Sequence, residues 1–468
     1  MQNRREFLKT LALGGAGIIA LPRLAFGRTD IWSSVYPQIL GRIKPPVFPN
    51  REFDITKFGA KAGVANDSSE AITAAIDACS KAGGGRVVVP AGEFLTGAIH
   101  LKSNTNLHLS KDATLKFSTE PKRYSVVFTR FEGMECMNLS PFIYAFEQTN
   151  IAITGEGMLD GQANSVNWWP WQGSTRYGWK EGMPNQRAAR AKLYDMMERG
   201  VPVNDRVFGE GSFLRPNFIQ PYRCKNVLIE GVRIVNSPMW EIHPVLSENV
   251  TVRKVRISSH GPNNDGCDPE SCKDVLIERC QFDTGDDCIA IKSGRNEDGR
   301  RIGVQTENVI VRECEMKDGH GGVTIGSEIS GGVRNVFAEN CRMDSPNLDH
   351  ALRVKNNAAR GGLLEKFYFR NITVGQVAHA LITIDFNYEE GAKGKFTPVM
   401  REFVVDDLKS SKSKYGVDIQ GLTNAPVYDV SIADSTFENV SDGNIVKNLK
   451  GLKLDNVRVN GKEVSELN

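Results

Sequence analysis

The sequence lacks several features that would place it in common classes of protein. Beyond the N-terminal residues, no stretch approaches 18 consecutive apolar residues, so we expect no further membrane span. It has no Cys-x-x-Cys, and its seven histidines do not fall at zinc-binding spacings, so we expect no metal and no cofactor. A net charge of +2 gives no indication of a nucleic-acid partner. The 40% apolar and 24% charged content is typical of a soluble globular chain.

The first 27 residues read as an export signal. Arg4 and Arg5 are followed by Phe-Leu-Lys, a short apolar run and a small-residue exit at Ala25-Phe-Gly27, which resembles a twin-arginine signal. An uncleaved N-terminal anchor is the alternative. Without this segment, which carries +3, the net charge is −1. We expect a periplasmic or extracellular protein, and a near-neutral chain can still have a basic cleft for an acidic substrate.

The 45 glycines indicate many tight turns, and a repeated pattern indicates strands. From Cys224 onward, apolar residues recur at the first, third and sixth positions of nine segments whose starts lie 22 to 36 residues apart. Such a period, with β-branched residues and no helical periodicity, predicts a β-solenoid. The segments are 227–232, 250–255, 275–280, 309–314, 336–341, 367–372, 403–408, 430–435 and 452–457; the eighth ends on Ser435, where an apolar residue is expected.

Two kinds of residue recur at fixed places in these units. An Asn or Asp precedes five of the strands, where it can adopt left-handed corner geometry and stack on its neighbour in the next coil. Three of the nine cysteines occupy the sixth position of successive units and should form an inward stack. We expect most of the thiols to be buried and free, and one or two disulfides are possible. The corner residues are Asn226, Asn249, Asp274, Asn308 and Asn335, and the stacked cysteines are Cys280, Cys314 and Cys341.

The N-terminal half fits the same solenoid. Asp67-Ser-Ser-Glu70 reads as a capping box before a helix at 71–79, which would cover the open end of the core. The first coils are expected from 87–95 onward, with strands at 107–109 and 151–153. Residues 162–218 interrupt the repeat with four of the six tryptophans and a helix candidate from Asn185 to Arg199. These tryptophans could stack on sugar rings, or could hold together a small packed subdomain.

Four polar clusters interrupt the repeat at one recurring place. They are Asn263-Asn264-Asp265, Gly285-Asp286-Asp287, Gly319-His320-Gly321 and Arg353-Val354-Lys355. Asp265 and Asp287 are 22 residues apart, and His320 and Arg353 each follow after 33 more, about one coil per step. Because parallel strands in adjacent coils lie roughly 4.7–4.9 Å apart, these groups should line one groove.

The chemistry of these residue types favours a glycosidase. Three neighbouring carboxylates cannot all ionise cheaply, so one should keep its proton and could serve as a general acid. Arg353 and Lys355 suit a carboxylate on the substrate, and His320 could tune the protonation of the acid or hydrogen-bond a sugar hydroxyl. A calcium site is the competing interpretation, and the adjacent Arg and Lys argue against it.

The order of these motifs resembles glycoside hydrolase family 28, the polygalacturonases, whose four motifs are Asn-Thr-Asp, Gly-Asp-Asp, Gly-His-Gly and Arg-Ile-Lys. This chain has Asn264 for the Thr and Val354 for the Ile, both outside the ionisable set. The family-like stretches run from Phe58-Gly-Ala60 to about Val440. The resemblance implies a single-domain right-handed parallel β-helix over residues 28–468, with an N-terminal capping helix and the long insertion.

The resemblance also implies a reaction and a set of roles. It implies inverting hydrolysis of α-1,4-linked galacturonic acid in pectin, an acidic plant polysaccharide of the cell wall. Asp286 would be the general acid, Asp265 and Asp287 would activate water, and His320 would support the acid. The substrate-binding residues would be Arg353, Lys355 and Asn263.

Alternatives to this reading remain open. The insertion at 162–218 suggests a closed groove end and exo action. The substrate could instead be galacturonic acid in rhamnogalacturonan fragments. A calcium-dependent pectate lyase and a non-catalytic polysaccharide-binding solenoid are two further alternatives.

Overall fold

The computed structural model describes residues 30–467. Residues 39–467 form one compact unit, and residues 30–38 belong to a separate one. The predicted export signal lies outside the described residues. None of the helices in residues 30–467 is long and apolar enough to cross a membrane. The α-helices are Ile31–Arg42, Ser69–Lys81, Arg187–Glu198 and Asn296–Ile302, and the 3-10 helices are Ile55–Phe58, Pro121–Arg123, Trp169–Gln172, Thr175–Tyr177 and Val203–Asp205.

Most strands belong to a parallel β-helix, in which each strand pairs with its counterpart in the next coil. The first stack of strands contains all nine predicted repeats, and Val227, Val250, Val275, Val309 and Val336 align in register as the repeat predicts. Its strands are Glu52–Asp54, Gly85–Val89, Thr105–Leu109, Thr149–Gly155, Lys225–Glu230, Glu248–Arg253, Lys273–Glu278, Thr306–Arg312, Val333–Met343, Leu363–Val374, Val399–Ser410, Val430–Ala433 and Lys453–Asp455.

Two further stacks complete each coil, so the predicted right-handed parallel β-helix is confirmed. The second stack contains Gly92–Thr96, Ala113–Phe117, Met158–Asp160, Arg233–Val235, Arg256–Ser259, Gln281–Thr284, Glu315–Met316, Thr436–Phe437 and Arg458–Val459, and the three longest strands of the first stack continue into it. The third stack contains Ile99–His100, Ile143–Phe146, Ile219–Tyr222, Ile289–Ile291, Gly319–Ile325, Leu348–Lys355, Ala380–Asp385, Tyr415–Gln420 and Ile445–Lys447. The remaining strands are Val126–Phe131, Met134–Leu139, Val427–Tyr428, Leu449–Lys450 and Lys462–Glu463.

The interior is built from columns of side chains at equivalent positions of successive coils. The sixth position of the repeat is buried in every unit, and Cys280, Cys314 and Cys341 form the predicted column of thiols. All nine cysteines are free and buried, so the one or two disulfides that the sequence allowed do not form. Ser435 replaces an apolar residue at this position because its hydroxyl is satisfied, donating to the Ala433 carbonyl and accepting from the Leu408 amide.

Asparagine side chains bond coil to coil at one corner of the helix. The five predicted corner residues all have φ between 55° and 62°, in the left-handed region that Asn and Asp tolerate. The amide of Asn249 donates to Asn226 at 2.7 Å, and that of Asn335 donates to Asn308 at 2.9 Å. Between these two pairs, Asp274 accepts a hydrogen bond from the amide of Asn308. Because an aspartate has no amide, Asp274 cannot donate to Asn249, and the ladder is interrupted between these two residues.

A helix covers the N-terminal end of the core, as predicted. Ile72, Ile76 and Cys79 on one face of Ser69–Lys81 join the apolar core of the first coils. The predicted capping box is wrong in detail, because the helix begins at Ser69 and Ser68 makes no side-chain cap. Asp67 instead accepts from both the amide and the hydroxyl of Ser69, which turns the chain just before the helix.

The predicted insertion is present between the strands that end at Asp160 and begin at Ile219, and its helix runs over Arg187–Glu198. Its tryptophans mainly pack within the fold. Trp168 is fully buried among the aromatic rings of Tyr124 and Phe142, and Trp171 lies edge-on to Trp168 at 4.7 Å. Packing of Trp168 on aromatic rings outside the insertion therefore anchors the insertion to the rest of the fold, and burial rules out stacking of Trp168 on sugar, whereas Trp171 is only partly buried.

Candidate active site

The four polar clusters lie side by side at the third stack, as their spacing predicts. The amide of Gly266 donates to the Asp287 carbonyl, and the amide of His320 donates to the Asp286 carbonyl, both at 3.0 Å. Thr324, four residues after His320, pairs in register with Arg353. The clusters therefore occupy adjacent coils on one face of the β-helix.

The glycine before Asp286 allows two of these turns to stack closely. A Cβ on Gly285 would lie 2.4 Å from the carbonyl oxygen of Gly261, which is far inside van der Waals contact. Gly321 is constrained in the same way, since its Cβ would lie 2.9 Å from a carboxylate oxygen of Asp287. These two glycines are therefore required by the close approach of the turns that carry the acids.

Three carboxylates meet at this place. One oxygen each of Asp265, Asp286 and Asp287 lies within 4.8 Å of the others. The side chain of Asp286 is 18% exposed, whereas those of Asp265 and Asp287 are 4% and 0% exposed. Only Asp286 therefore presents an appreciable surface to the cleft, with two buried acids behind it.

Asp286 is paired with His320. The Nδ1 atom of His320 lies 2.9 Å from Oδ1 of Asp286. Burial alone would raise the pKa of Asp286, but the hydrogen bond and positive charge of His320, with Lys355 beyond, hold it below its usual range. In return the hydrogen bond to Asp286 raises the pKa of His320 to about 9. The pair is thus an imidazolium and a carboxylate at neutral pH.

Asp287 is held by three groups from the following coils. Lys355 Nζ donates to Oδ2 at 2.5 Å, Thr324 donates to Oδ1 at 3.1 Å, and Arg353 lies 3.6 Å from Oδ1. Burial alone would lower the pKa of Lys355, yet the charge of Asp287 outweighs it and raises that pKa above its usual value. The two cations predicted to bind substrate therefore also neutralise a buried acid.

Asp265 has a different neighbour, which the sequence did not single out. Lys292 Nζ lies 3.5 Å from Asp265 and 3.6 Å from Asp268, another fully buried acid. Burial, followed by the charges of Asp268 and Asp286, raises the pKa of Asp265 well above its usual range, and Lys292 opposes the rise. The Gly285–Gly294 segment contains Lys292, but a single Lys ending a strand is ordinarily solvated.

The pKa values of Asp286 and Asp265 move in opposite directions. In the free protein the pKa of Asp286 lies below its usual range and that of Asp265 lies well above it, which is the reverse of the order expected if Asp286 keeps its proton as the general acid. The cause is His320, whose charge stabilises the ionised form of Asp286, while Asp265 is buried beside another acid. In the free protein, the arrangement therefore offers an exposed carboxylate paired with an imidazolium, and a buried acid, Asp265, whose ionisation is favoured by Lys292 and opposed by burial and the neighbouring acids.

Asn263 lies in the cleft wall, and its amide is fixed by a residue from the insertion. Arg215 is fully buried and donates to Asn263 Oδ1 at 2.7 Å and to the carbonyls of Pro238 and Pro262. The two N–H donors of the Asn263 amide are left for a ligand. Asn264, where the family has Thr, is buried and bonds entirely to protein groups, including the hydroxyl of Ser259.

Beside the acids lies a cleft with an empty volume of about 420 Å³. Its wall includes the turn of the hairpin Val126–Leu139, a feature that the repeat pattern could not reveal. The wall also includes charged and aromatic residues that the sequence did not single out. The lining residues are Glu132, Arg190, Trp240, Asn263, Asp265, Asp286, Lys292, Arg295, Ser327, Glu328, Lys355, Tyr388 and Glu389.

Two groups of acids in residues 30–467 are spaced closely enough to consider a metal ion. The first is the set of three acids described above, where His320, Lys292, Lys355 and Arg353 already supply positive charge. The second is His260, Asp283 and Asp318, in which Asp318 accepts hydrogen bonds from Ser345 and Asn347. Each acid of the first set already faces a cation, and Asp283 and Asp318 of the second set have protein partners, so we assign no metal to either set.

Comparison with known proteins agrees with this geometry. The family model described as "Glycosyl hydrolases family 28" matches residues 210–453. The chain is 28% identical to a probable polygalacturonase of Vitis vinifera, over 76% of this chain and 67% of that one. It is 26% identical to an exo-poly-alpha-D-galacturonosidase of Dickeya chrysanthemi, over 88% of this chain and 75% of that one.

A solved structure is also closely similar. The hyperthermoactive exopolygalacturonase of Thermotoga maritima superposes with a TM-score of 0.90 and 49% sequence identity, covering 93% of this chain and 97% of that one. The β-helix, the four motifs in adjacent coils and these matches agree with one another. The chain belongs to glycosyl hydrolases family 28 and is a glycoside hydrolase.

Proposed function

We propose that the protein is an exo-acting polygalacturonase, which hydrolyses α-1,4-linked galacturonic acid at the end of a pectin chain. The observation that carries this proposal is the cluster of Asp265, Asp286 and Asp287 with Arg353 and Lys355, in which Asp265, Asp286 and Lys355 line the cleft. Acids in contact are what glycosidic hydrolysis needs, and cations beside them suit a sugar that carries a carboxylate. The names of the Dickeya and Thermotoga relatives support the substrate and the exo action.

The exposure of the three acids supports a division of roles. Asp286 is the exposed one, so we assign it to protonate the glycosidic oxygen of the leaving group. Asp265 and Asp287 lie behind it and are assigned to orient and deprotonate the attacking water. His320, in contact with Asp286, is assigned to control the ionisation of that acid.

Substrate binding provides a way for Asp286 to gain the proton that it lacks in the free protein. Lys355 is one of the charges that lower the pKa of Asp286. A substrate carboxylate beside Lys355 would neutralise part of that charge, and the sugar would displace water from the cleft. Both effects raise the pKa of Asp286, so the acidic sugar itself brings the general acid toward its working form.

The same cations fit a planar carboxylate. Arg353 Nη1 lies 3.6 Å from Asp287 and 3.3 Å from the His320 carbonyl, which leaves other guanidinium donors for a ligand. The ring of Tyr388 lies 5.7 Å from the Arg353 guanidinium and 5.3 Å from the Lys355 ammonium. We assign these groups, together with the Asn263 amide nitrogen, to substrate binding.

The wall of the cleft supports exo action. Glu132, in the hairpin turn, accepts from Arg190 of the insertion helix at 2.7 Å and from Arg295 of the β-helix at 2.8 Å. The turn is packed tightly, since a Cβ on Gly133 would lie 2.9 Å from the backbone nitrogen of Arg295. Three separate parts of the chain are thus joined in the wall of the cleft, and we infer that this wall favours entry of a chain end over the middle of a polymer.

Inversion at the anomeric carbon is part of the proposal and rests on the family. Inverting carboxyl pairs are typically about 6.5–9.5 Å apart, whereas the three acids here have oxygens within 4.8 Å of one another. The expected wide separation is therefore not observed between the nearest oxygens. Export through the twin-arginine signal, with action on plant cell-wall pectin, is likewise a proposal and rests on the first 27 residues of the sequence.

The test is the Asp286→Asn variant, assayed by release of reducing ends from polygalacturonate. Loss of a general acid should lower kcat by at least about 10²-fold while the fold is retained. The matched control is Asp283→Asn, which removes an acid from the same turn that pairs with His260 at 3.1 Å and lies outside the three-acid set. Undiminished activity of Asp286→Asn would contradict the assignment.

The same assay separates the alternatives. Turnover that stops with a chelator and yields products absorbing in the ultraviolet would indicate a lyase. Activity on rhamnogalacturonan fragments without activity on polygalacturonate would keep the hydrolase and change the substrate.

A further inference from the structure

Each of the three acids has a cation of its own, and the third cation is Lys292. Asp286 is paired with His320, and Asp287 is paired with Lys355. Among the ion pairs of residues 30–467, Lys292 is the only cation that contacts Asp265 or Asp268. The four motifs contain both members of two of these three pairs, and the cation of the third pair is a lysine outside the motifs.

Lys292 is held tightly in place. It follows the strand Ile289–Ile291, and its side chain is 3% exposed. Its ammonium donates to Glu328 Oε2 at 3.1 Å and lies 4.4 Å from the centre of the Trp240 ring. Asp265, Asp268 and Glu328 therefore share the Lys292 ammonium, which also faces the Trp240 ring. A buried lysine in this setting stays charged, because the acids outweigh the cost of its burial.

We propose that Lys292 is a positioning residue for the hydrolysis: its ammonium keeps Asp265 able to ionise and directs that carboxylate toward the attacking water. The proposal rests on the proposed function, in which Asp265 activates water. Asp268 and Glu328 compete for the same ammonium, so they set how much of its charge Asp265 receives. Lys292 itself is not assigned to contact the reacting atoms.

The charges around Asp265 decide the direction of the effect. Lys292 is the cation in contact with it, and Arg215 is a further cation within electrostatic range. The acids on the packed coils all oppose its ionisation. The charged groups facing Asp265 are Asp268, Glu241, Asp286, Asp287, Lys292 and Arg215.

The consequence is measurable as a pH dependence. A water-activating acid must be ionised, so kcat/KM rises with pH through its pKa and forms the acidic limb of the profile. Removal of a cation in contact raises the pKa of a carboxyl by about 1–3 units. Loss of Lys292 should therefore move the acidic limb to higher pH by about that amount, with a tenfold or larger loss of rate on the limb.

The experiment compares pH profiles of kcat/KM on polygalacturonate for wild type, Lys292→Met and a control. Lys254→Met is the matched control, because Lys254 is 57% exposed and pairs with Glu230. We expect the limb to shift upward in Lys292→Met and to stay at the wild-type position in Lys254→Met. Lys292→Arg, which keeps the charge, should keep the limb near its wild-type position even if kcat falls.

A second variant should shift the acidic limb in the opposite direction, and this test does not depend on whether Lys292→Met is stable. Asp268→Asn removes an acid that competes for Lys292 and that raises the pKa of Asp265. Its acidic limb should move to lower pH. A limb that stays in place in both variants would overturn the proposal, as would a rise in KM alone, which would make Lys292 a substrate-binding group.

The outcomes distinguish this proposal from the proposed function. Wild-type protein that does not hydrolyse polygalacturonate would contradict the function itself. An active wild type whose variants keep its pH profile would contradict only the role of Lys292.

Discussion

Replacement of Lys355 by methionine should destabilise the protein as well as inactivate it. The Lys355 ammonium lies 2.5 Å from Asp287, whose side chain is fully buried. Without it, Asp287 keeps Arg353 at 3.6 Å and the Thr324 hydroxyl at 3.1 Å. Removing one partner of a buried ion pair costs about 3–5 kcal/mol, because the other charge stays buried. The remaining contact with Arg353 places the expected loss near 3 kcal/mol, at the lower end of that range.

The double variant Lys355→Met/Asp287→Asn provides the matched comparison. With both charges removed, no buried ion is left uncompensated at this pair, so much of the lost stability should return. The free energies of unfolding, measured from urea denaturation, should then give a coupling energy of at least about 1 kcal/mol. Activity on polygalacturonate should be lost in Lys355→Met, in Asp287→Asn and in the double variant, since Lys355 is assigned to bind substrate and Asp287 to activate water.

Two results would refute this reasoning. Additive effects of the two substitutions on stability would show that Lys355 and Asp287 do not stabilise each other. Full activity of the double variant would show that neither group takes part in the reaction.

Two further predictions concern the neighbouring motifs. The pKa of His320 is raised to about 9, so the stability that this charged side chain contributes should be complete below about pH 6.5 and lost as the pH rises through about 9. Because the side chain is about half exposed, this contribution should be only about 1 kcal/mol. The kcat/KM profile should fall over the same alkaline range, and His320→Gln should remove that basic limb. Gly285→Ala should lower kcat by about 10²-fold by displacing the turn of Asp286, whereas Gly41→Ala, where the new Cβ meets nothing within 4 Å, should have no effect; equal activity of the two would refute the steric argument.

The register of the β-helix could be predicted because each coil repeats the same constraint. A buried position every second residue and an Asn or Asp at the corner recur from Asn226 to Asn335, and one spacing rule therefore located Asp265, Asp286, His320 and Arg353 on one face. Local pattern carries this information without any knowledge of distant contacts.

The rest depends on contacts between distant parts of the chain. Glu132 and Arg295 are 163 residues apart in sequence, and no sequence pattern in the hairpin segment predicts that its turn lines the cleft. Lys292 is buried by contacts with Glu328 and Trp240, and the spacing of the repeats does not predict these contacts. The sequence could not show which acid keeps its proton, because burial and the charge of His320 act in opposite directions on the pKa of Asp286, and only distances show which prevails.

The most direct test of the account is the identity of the first products released from polygalacturonate, separated by size and read for anomeric configuration by NMR. An exo-acting, inverting hydrolase of α-linked galacturonic acid should release saturated monomer or dimer from the first minutes, initially as the β-anomer. A ladder of mixed oligomers would contradict exo action. An initial α-anomer would contradict inversion, and unsaturated products would contradict hydrolysis.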